Sequence, residues 1–328
     1  MERIDKPILV VVENEKTIDE PTLSLASVKV LHFARTLTTG TVAALSVAQD
    51  IDEDGLRLGG ADVIYVPESG GYSPLVPDAI ADTARSAVEN LGDVSAVLTV
   101  TTYLGRAVTA MLATAFQAGG AVDVTRVWVS GSELFAQKAA LGGAWETSFH
   151  TTQGAPVLAV RPGFGDKEGP AGEGKIVSLA PRLSSGALQV EVISHVVEPK
   201  GSRVSLTDAD VVVAGGRGTN GDFTLVENLA DALGGAVGAT RVACDEGWVP
   251  RAAQIGQTGV TVAPKLFVGL GVSGAVMIAI GLLAPRDVES TILAEPVAGG
   301  YTTFSEYEVR YTYANGIKLT ILTTKDDS

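Results

Sequence analysis

Cys244 is the lone cysteine in 328 residues, so neither an intrachain disulfide framework nor a multi-thiolate metal site can be built. Histidine is almost as scarce. His32, His150 and His195 are scattered and unpaired, which argues against a zinc centre. Aromatic residues make up only 5% of the chain. Lys and Arg number 24 against 38 Asp and Glu, a net charge of −14, which argues against non-specific nucleic-acid binding, where cations must meet phosphate. The charged segment 1–7 is followed by only a short apolar run, so no secretory signal is visible and the cytoplasm is the expected compartment. One long uncharged run spans residues 266–285, flanked by Lys265 and Arg286. Its four glycines and one serine suit a buried strand entering a buried helix, and no membrane span is expected.

What is present fits a globular chain: 46% hydrophobic, 19% charged and 38 glycines, long enough for two domains with their own cores. Strand-like runs at 8–12, 42–47, 62–66 and 96–99 alternate with helical spacing at 24–37, 78–90 and 105–116. Such alternation predicts a parallel sheet covered by helices on both faces. From 124 to 193 the pattern shifts to short strands at 127–129, 157–160 and 189–194, with a surface loop at 162–175. Glu198-Pro199-Lys200-Gly201 interrupts the pattern.

The expected organisation is an N-terminal α/β domain over 1–196, a second domain over 205–300 and an atypical tail over 301–328. The second domain restarts the alternation. Strands are expected at 210–214, 236–239, 266–270 and 291–293, and helices at 223–233 and 273–283. In the first of these helices Leu225, Leu229 and Leu233 share one face. The tail reads as a hairpin, strands 306–313 and 317–322 about Ala314-Asn315-Gly316. The fold class is α/β, with a parallel sheet and helices first and a doubly wound, Rossmann-like domain second.

Four segments of the second domain carry chemistry. Gly216-Arg217-Gly218-Thr219-Asn220-Gly221 follows a strand, precedes a helix and matches G-x-G-x-x-G, in which glycines let backbone approach a pyrophosphate. Gly238-Ala239-Thr240-Arg241 ends a strand with a hydroxyl and a cation. Gln254-Ile255-Gly256-Gln257-Thr258-Gly259 is a polar loop punctuated by glycine. Gly271-Val272-Ser273-Gly274-Ala275 joins a buried strand to a helix, a second place for an anion. Each alone is equally an ordinary turn; together in one domain they point to a dinucleotide.

With DEGWVP, QIGQTG, VAPKLFVGLG and VSGA in order across residues 210–281, this domain resembles the electron-transfer flavoprotein alpha subunit. Residues 8–180 resemble the first domain of that family, including VLAVRPG at 157–163. The resemblance implies FAD as cofactor. It implies Arg217 and Arg241 near the flavin, and Thr240 where the family usually has serine. It also implies a loop of Ile255, Gly256, Gln257 and Thr258 reaching ring and phosphates, and a pyrophosphate turn of Ser273, Gly274 and Ala275. The family is a heterodimer whose beta subunit helps enclose the FAD. The implied partners are therefore a beta-like subunit, dehydrogenases as donors and an acceptor oxidoreductase. The chain is then a redox carrier rather than an enzyme with its own catalytic residues. A reduced flavin carries negative charge, and fixed cations and donors suit it.

Three departures stand out. Met277-Ile278 occupies the place of the polar pair, typically Gln-His, of the family; Glu295-Pro296 follows Ala294 where an asparagine belongs; and the later Asp-Tyr-Gly segment has no counterpart. The tail instead faintly resembles a strand pair from sugar-type NAD(P)-dependent oxidoreductases.

Two other functions stay open on the residues alone. One is a nicotinamide-dependent oxidoreductase using the Gly216–Gly221 turn, with Asp245 near the place of the ribose-binding acid. The other is a partner subunit without cofactor. Cys244 and His32 read as packing residues, and Glu13-Asn14-Glu15 as a solvated loop.

Overall fold

A computed structural model describes residues 2–16, 21–48, 50–68, 73–140, 145–161, 169–194, 203–256, 258–260, 262, 264–272, 308–312 and 318–322. The chain divides into two compact units, Met1–Asp208 and Ala209–Ser328.

The first unit holds β1 (Ile8–Val11), β2 (Asn14–Lys16), β3 (Pro21–Leu23), α1 (Leu25–Leu37), β4 (Val42–Leu45), α2 (Glu53–Leu58), β5 (Val63–Pro67), α3 (Pro77–Leu91), β6 (Ala96–Val100) and α4 (Tyr103–Ala115). After these come β7 (Gly120–Ser130), β8 (Glu133–Ala140), β9 (Trp145–His150), β10 (Val157–Val160), β11 (Lys175–Leu179) and α5 (Ser185–Gln189). The sheet runs β11-β5-β4-β1-β6-β10-β7-β8-β9. It is parallel up to β7 and antiparallel beyond it.

The period-two alternation of strand side chains separates two cores. Ile8, Val10, Val42, Ala44 and Leu98 pack with Val30, Leu31 and Ala34 of α1. Leu9, Val11, Ala43, Leu45 and Val97 pack with Ile80 and Ala84 of α3 and Leu112 of α4. Both faces being covered, the central strands β1, β4 and β10 are hydrophobic without a break, and β6 is interrupted only by Thr99. Ser24 starts α1, its hydroxyl accepting the Ser27 N–H at 3.1 Å, and Pro77 occupies the first turn of α3.

Two expectations fail in this unit. Residues 189–194 are not a strand. Ser184 caps α5 through the Ala187 N–H, and Val190, Val192 and Ile193 that follow are exposed, with no strand paired to them among the described residues. The region 120–150, expected to hold one short strand, forms the three-stranded antiparallel extension β7-β8-β9. Trp128, Phe135 and His150 stack across it, at 5.7 Å and 5.0 Å between ring centres.

The second unit contains β12 (Val211–Gly215), α6 (Thr224–Ala232), β13 (Ala236–Ala239), α7 (Arg241–Asp245), β14 (Leu266–Leu270) and the antiparallel pair β15 (Glu308–Thr312) and β16 (Lys318–Leu322). The three-stranded sheet is parallel in the order β13-β12-β14. Val226 and Ala230, with Phe223, press α6 onto it. Of the expected leucine face only Leu229 packs against this core; Leu225 is 68% exposed and Leu233 42% exposed. Gly215 permits this packing, since a Cβ there would stand 2.5 Å from the Phe223 ring.

The expected helix at 273–283 and strand at 291–293 lie outside the described residues. Among the described residues no helix is long and apolar enough to cross a membrane, and the uncharged run continues beyond them after Val272.

Candidate functional site

The chain passes from β12 to β13 on one side and then to β14 on the other, so its direction reverses at β12. Open α/β sheets bind ligands outside the carboxyl ends of strands at such a reversal. Gly215 pairs with Ala239 and with Leu270, so the three strands end level. Gly216, Thr240 and Gly271 step off the same edge.

Backbone closes this edge between β12 and β14. Gly216 N–H donates to Leu270 C=O and Gly218 N–H to Gly271 C=O, each at 2.9 Å. A Cβ on Gly216 would stand 2.3 Å from the Gly271 oxygen, so only glycine fits. The turn then tightens on itself. Thr219 N–H donates to Gly216 C=O, Asn220 N–H to Arg217 C=O and Asp222 N–H to Thr219 C=O. Asn220 and Gly221 take left-handed φ values of 51° and 88°. Trp248 lies over Gly221, its Nε1 3.2 Å from where a Cβ would be.

Those bonds correct the reading of the G-x-G-x-x-G turn. The Gly216 and Gly218 amides are taken by the strand end beside them and those of Thr219 and Asn220 by the turn itself, and α6 begins only at Thr224. Asp222 accepts the Thr224 N–H at 2.9 Å, and bonds from the Thr224 side chain and backbone hold its carboxyl below the usual range. That places a carboxylate before α6, where a dinucleotide fold would receive phosphate. Asp245, the candidate ribose-binding acid, is already held by two arginines. The nicotinamide alternative loses both of its supports.

Cations and hydroxyls remain open at this edge. Arg217 leaves β12 in a single 3-10 turn and is exposed, and its side chain has no partner among the described residues. Thr240 follows β13, its N–H bonded to Gly215 C=O at 2.9 Å. Thr240 Oγ1 is buried and makes no hydrogen bond among the described residues, an arrangement that suits a ligand completing it. Arg241, next in the chain, gives only Nε to Asp245, at 3.1 Å; Nη1 and Nη2 have no partner among the described residues.

The 254–260 loop folds against the end of β13. Ile255 N–H donates to Ala239 C=O at 2.9 Å and Val260 N–H to Gln254 C=O at 2.7 Å. Ile255 is buried, Gly256 has φ of 132°, and Thr258 is exposed. The structure thus brings Arg217, Thr240 and Arg241 to one sheet edge, with Ile255, Gly256 and Thr258 in the loop bonded to it. Gln257, Ser273, Gly274 and Ala275 lie outside the described residues.

Arg251 escaped the sequence reading as part of a site, as did two roles: that of Gln254, which it hydrogen-bonds at 3.2 Å, and that of Asp245 as the anchor of Arg241 and Arg251. The one available signal was Gln254, a polar residue directly before the buried Ile255. Cys244 is a packing residue: it is 8% exposed, its Sγ lies 3.6 Å from Pro250 C=O, and burial pushes the thiol pKa up.

A closed glycine contact, two arginines with open forks and a buried idle hydroxyl at a strand-order reversal define a cofactor-binding α/β protein. The residues fit an anionic, hydrogen-bonding cofactor such as FAD.

Comparison with known proteins makes the class specific. Residues 8–198 match the electron transfer flavoprotein domain, and residues 205–282 the electron transfer flavoprotein FAD-binding domain. Electron transfer flavoprotein subunit alpha of Mycobacterium tuberculosis is 35% identical over 289 residues, 86% of this chain and 87% of that protein. The subunit alpha of Mycobacterium leprae is 34% identical over 238 residues, 72% of this chain and 73% of its own length. That of Syntrophomonas wolfei is 37% identical over 233 residues, 70% and 72% respectively. The chain belongs to the electron transfer flavoprotein family, and FAD is its cofactor.

Proposed function

We propose that this chain is the FAD-holding alpha subunit of a heterodimeric electron carrier. Its partner is an electron-transfer flavoprotein beta-like subunit, its donors are dehydrogenases, and it passes electrons to an acceptor oxidoreductase in the cytoplasm. When bound, the flavin takes up and returns the electrons. The protein's residues hold it and set the charge around it.

Arg217 and Arg241 face the negative charge of the reduced cofactor, Thr240 Oγ1 supplies a hydrogen bond, and Ile255, Gly256, Gln257 and Thr258 contact ring and phosphates. Ser273, Gly274 and Ala275 hold the pyrophosphate. Because the amides of Gly216 and Gly218 are already bonded, phosphate binding falls to this last turn and the 255–258 loop rather than to the glycine turn. The observation that carries the reading is the pairing of the buried, unpartnered Thr240 Oγ1 with the open fork of Arg241 next to it. Titration with FAD and with FMN, followed by flavin absorbance and fluorescence, tests it. FAD should bind in preference, and equal or absent binding of both would remove the proposal.

A further inference from the structure

Asp245, at the end of α7, holds two guanidinium groups at once. Arg241 Nε donates to Oδ2 at 3.1 Å and Arg251 Nη2 to Oδ1 at 2.9 Å. Arg251 carries the link onward, its Nη1 donating to Gln254 Oε1 at 3.2 Å, and Gln254 Nε2 donates to Thr258 Oγ1 at 2.8 Å. Gln254 is only 2% exposed. Its backbone is tied at both ends, N–H to Arg251 C=O at 3.0 Å and C=O to Val260 N–H at 2.7 Å.

The chemistry of the donors gives this chain a direction. A guanidinium only donates, so the amide of Gln254 must turn Oε1 toward Arg251 and NH2 toward Thr258. Thr258 Oγ1 therefore accepts, and its own proton is left to point away from Gln254. At the other end, Asp245 takes the Nε of Arg241 and leaves both Nη groups open. Preorganised donors of this kind need not reorient when charge develops beside them.

We propose that Asp245, Arg251 and Gln254 are positioning residues, one hydrogen-bonded chain that aims the Arg241 fork and the Thr258 hydroxyl at the same flavin. The inference rests on the reading that Arg241 and Thr258 face that cofactor. None of the three positioning residues touches it.

The sign of a potential shift separates positioning from simple charge. Removing the Asp245 carboxylate deletes a negative charge beside Arg241, which by itself makes flavin reduction easier and raises the potential. If Asp245 aims the fork, its loss lets Arg241 wander and the potential falls. In the FAD-loaded protein, Asp245→Ala should lower the one-electron potential, shifting the equilibrium by up to about tenfold, or 59 mV. Arg241→Ala should move it the same way, the double variant no further than Arg241→Ala, and Asp245→Glu should restore most of the loss. Melting temperatures recorded alongside separate these shifts from unfolding.

Arg251 is 68% exposed, so Arg251→Ala should keep the fold while speeding amide hydrogen exchange at residues 255–258. A potential that rises or stays constant in Asp245→Ala overturns the inference, as does unaltered exchange in Arg251→Ala. If Arg241→Ala itself leaves the potential unchanged, the flavin-site reading fails first and takes this one with it.

Discussion

Thr102 Oγ1 donates a hydrogen bond to the carboxylate of Glu13 while accepting the Gly105 N–H at 2.9 Å. The pair joins the carboxyl end of β1 to the first turn of α4. A carboxylate at a helix N-terminus is usually stabilised there. Here burial outweighs both that and the hydrogen bonds, and Glu13 titrates above its ordinary value of 4.5. The sequence reading placed Glu13 in a solvated loop; the structure half-buries it. Between the ordinary and the raised value the folded protein binds the extra proton, so stability falls as pH rises through that window and stays lowered above it. Glu13→Gln should lose this descending limb and be more stable than the parent at neutral pH. Denaturant midpoints from about pH 4 to pH 8 decide it, and parallel curves for the two proteins refute it.

Gly216→Ala would drive a methyl group against the Gly271 carbonyl oxygen, 2.3 Å from the ideal Cβ position. The neighbouring atom is backbone and cannot swing aside. Overpacking of this kind costs about 1–3 kcal/mol. The variant should lower the unfolding midpoint and weaken FAD binding together, because both loops belong to the site. A stable variant with full FAD affinity would show that the β12–β14 contact is dispensable.

Arg241→Ala should lower the flavin potential. A hydrogen bond to a charged group contributes about 1.5–3 kcal/mol, which corresponds to about 60–130 mV for one electron. Lysine at this position should recover only part of the shift, since a single ammonium cannot bond Asp245 through one nitrogen and the flavin through two others. Spectroelectrochemistry of the three proteins measures both effects.

Met277-Ile278 lies outside the described residues, and its prediction rests on the family resemblance. A polar pair at these positions would supply a donor that isoleucine lacks. The double change Met277→Gln, Ile278→His should raise the one-electron potential by about 60–130 mV. An unaltered potential would place residue 278 away from the flavin.

Much of the fold was legible because its signals are local. The β-branched run opening the first sheet, the helical spacing of apolar residues over 24–37 and the Asn-Gly between the tail strands each need only neighbouring residues to be read. What failed needed tertiary information. Leu225, Leu229 and Leu233 share helical spacing, but so do Val226 and Ala230, and only the Phe223 ring seated on Gly215 decides between them. The run 189–194 has strand composition but no partner strand among the described residues. At the candidate site, the loops were legible as motifs, whereas the destination of the Gly216 and Gly218 amides was not, because their acceptors are Leu270 at the end of β14 and Gly271 just after it, far along the chain.

The amide-to-carbonyl clasp between β12 and β14 also bears on turnover. A carrier alternates between oxidised and reduced states many times, and with FAD held as proposed each alternation changes the charge beside this edge. Backbone dipoles locked to one another cannot swing to follow that change, so they add little to the reorganisation that accompanies each electron. The responsive part is the long side chain of Arg217, which hangs from the clasped frame, whereas Arg241 is tethered at Nε by Asp245. Tuning this carrier toward a new donor or acceptor is therefore a matter of side-chain length and tethering, with the glycine edge left alone.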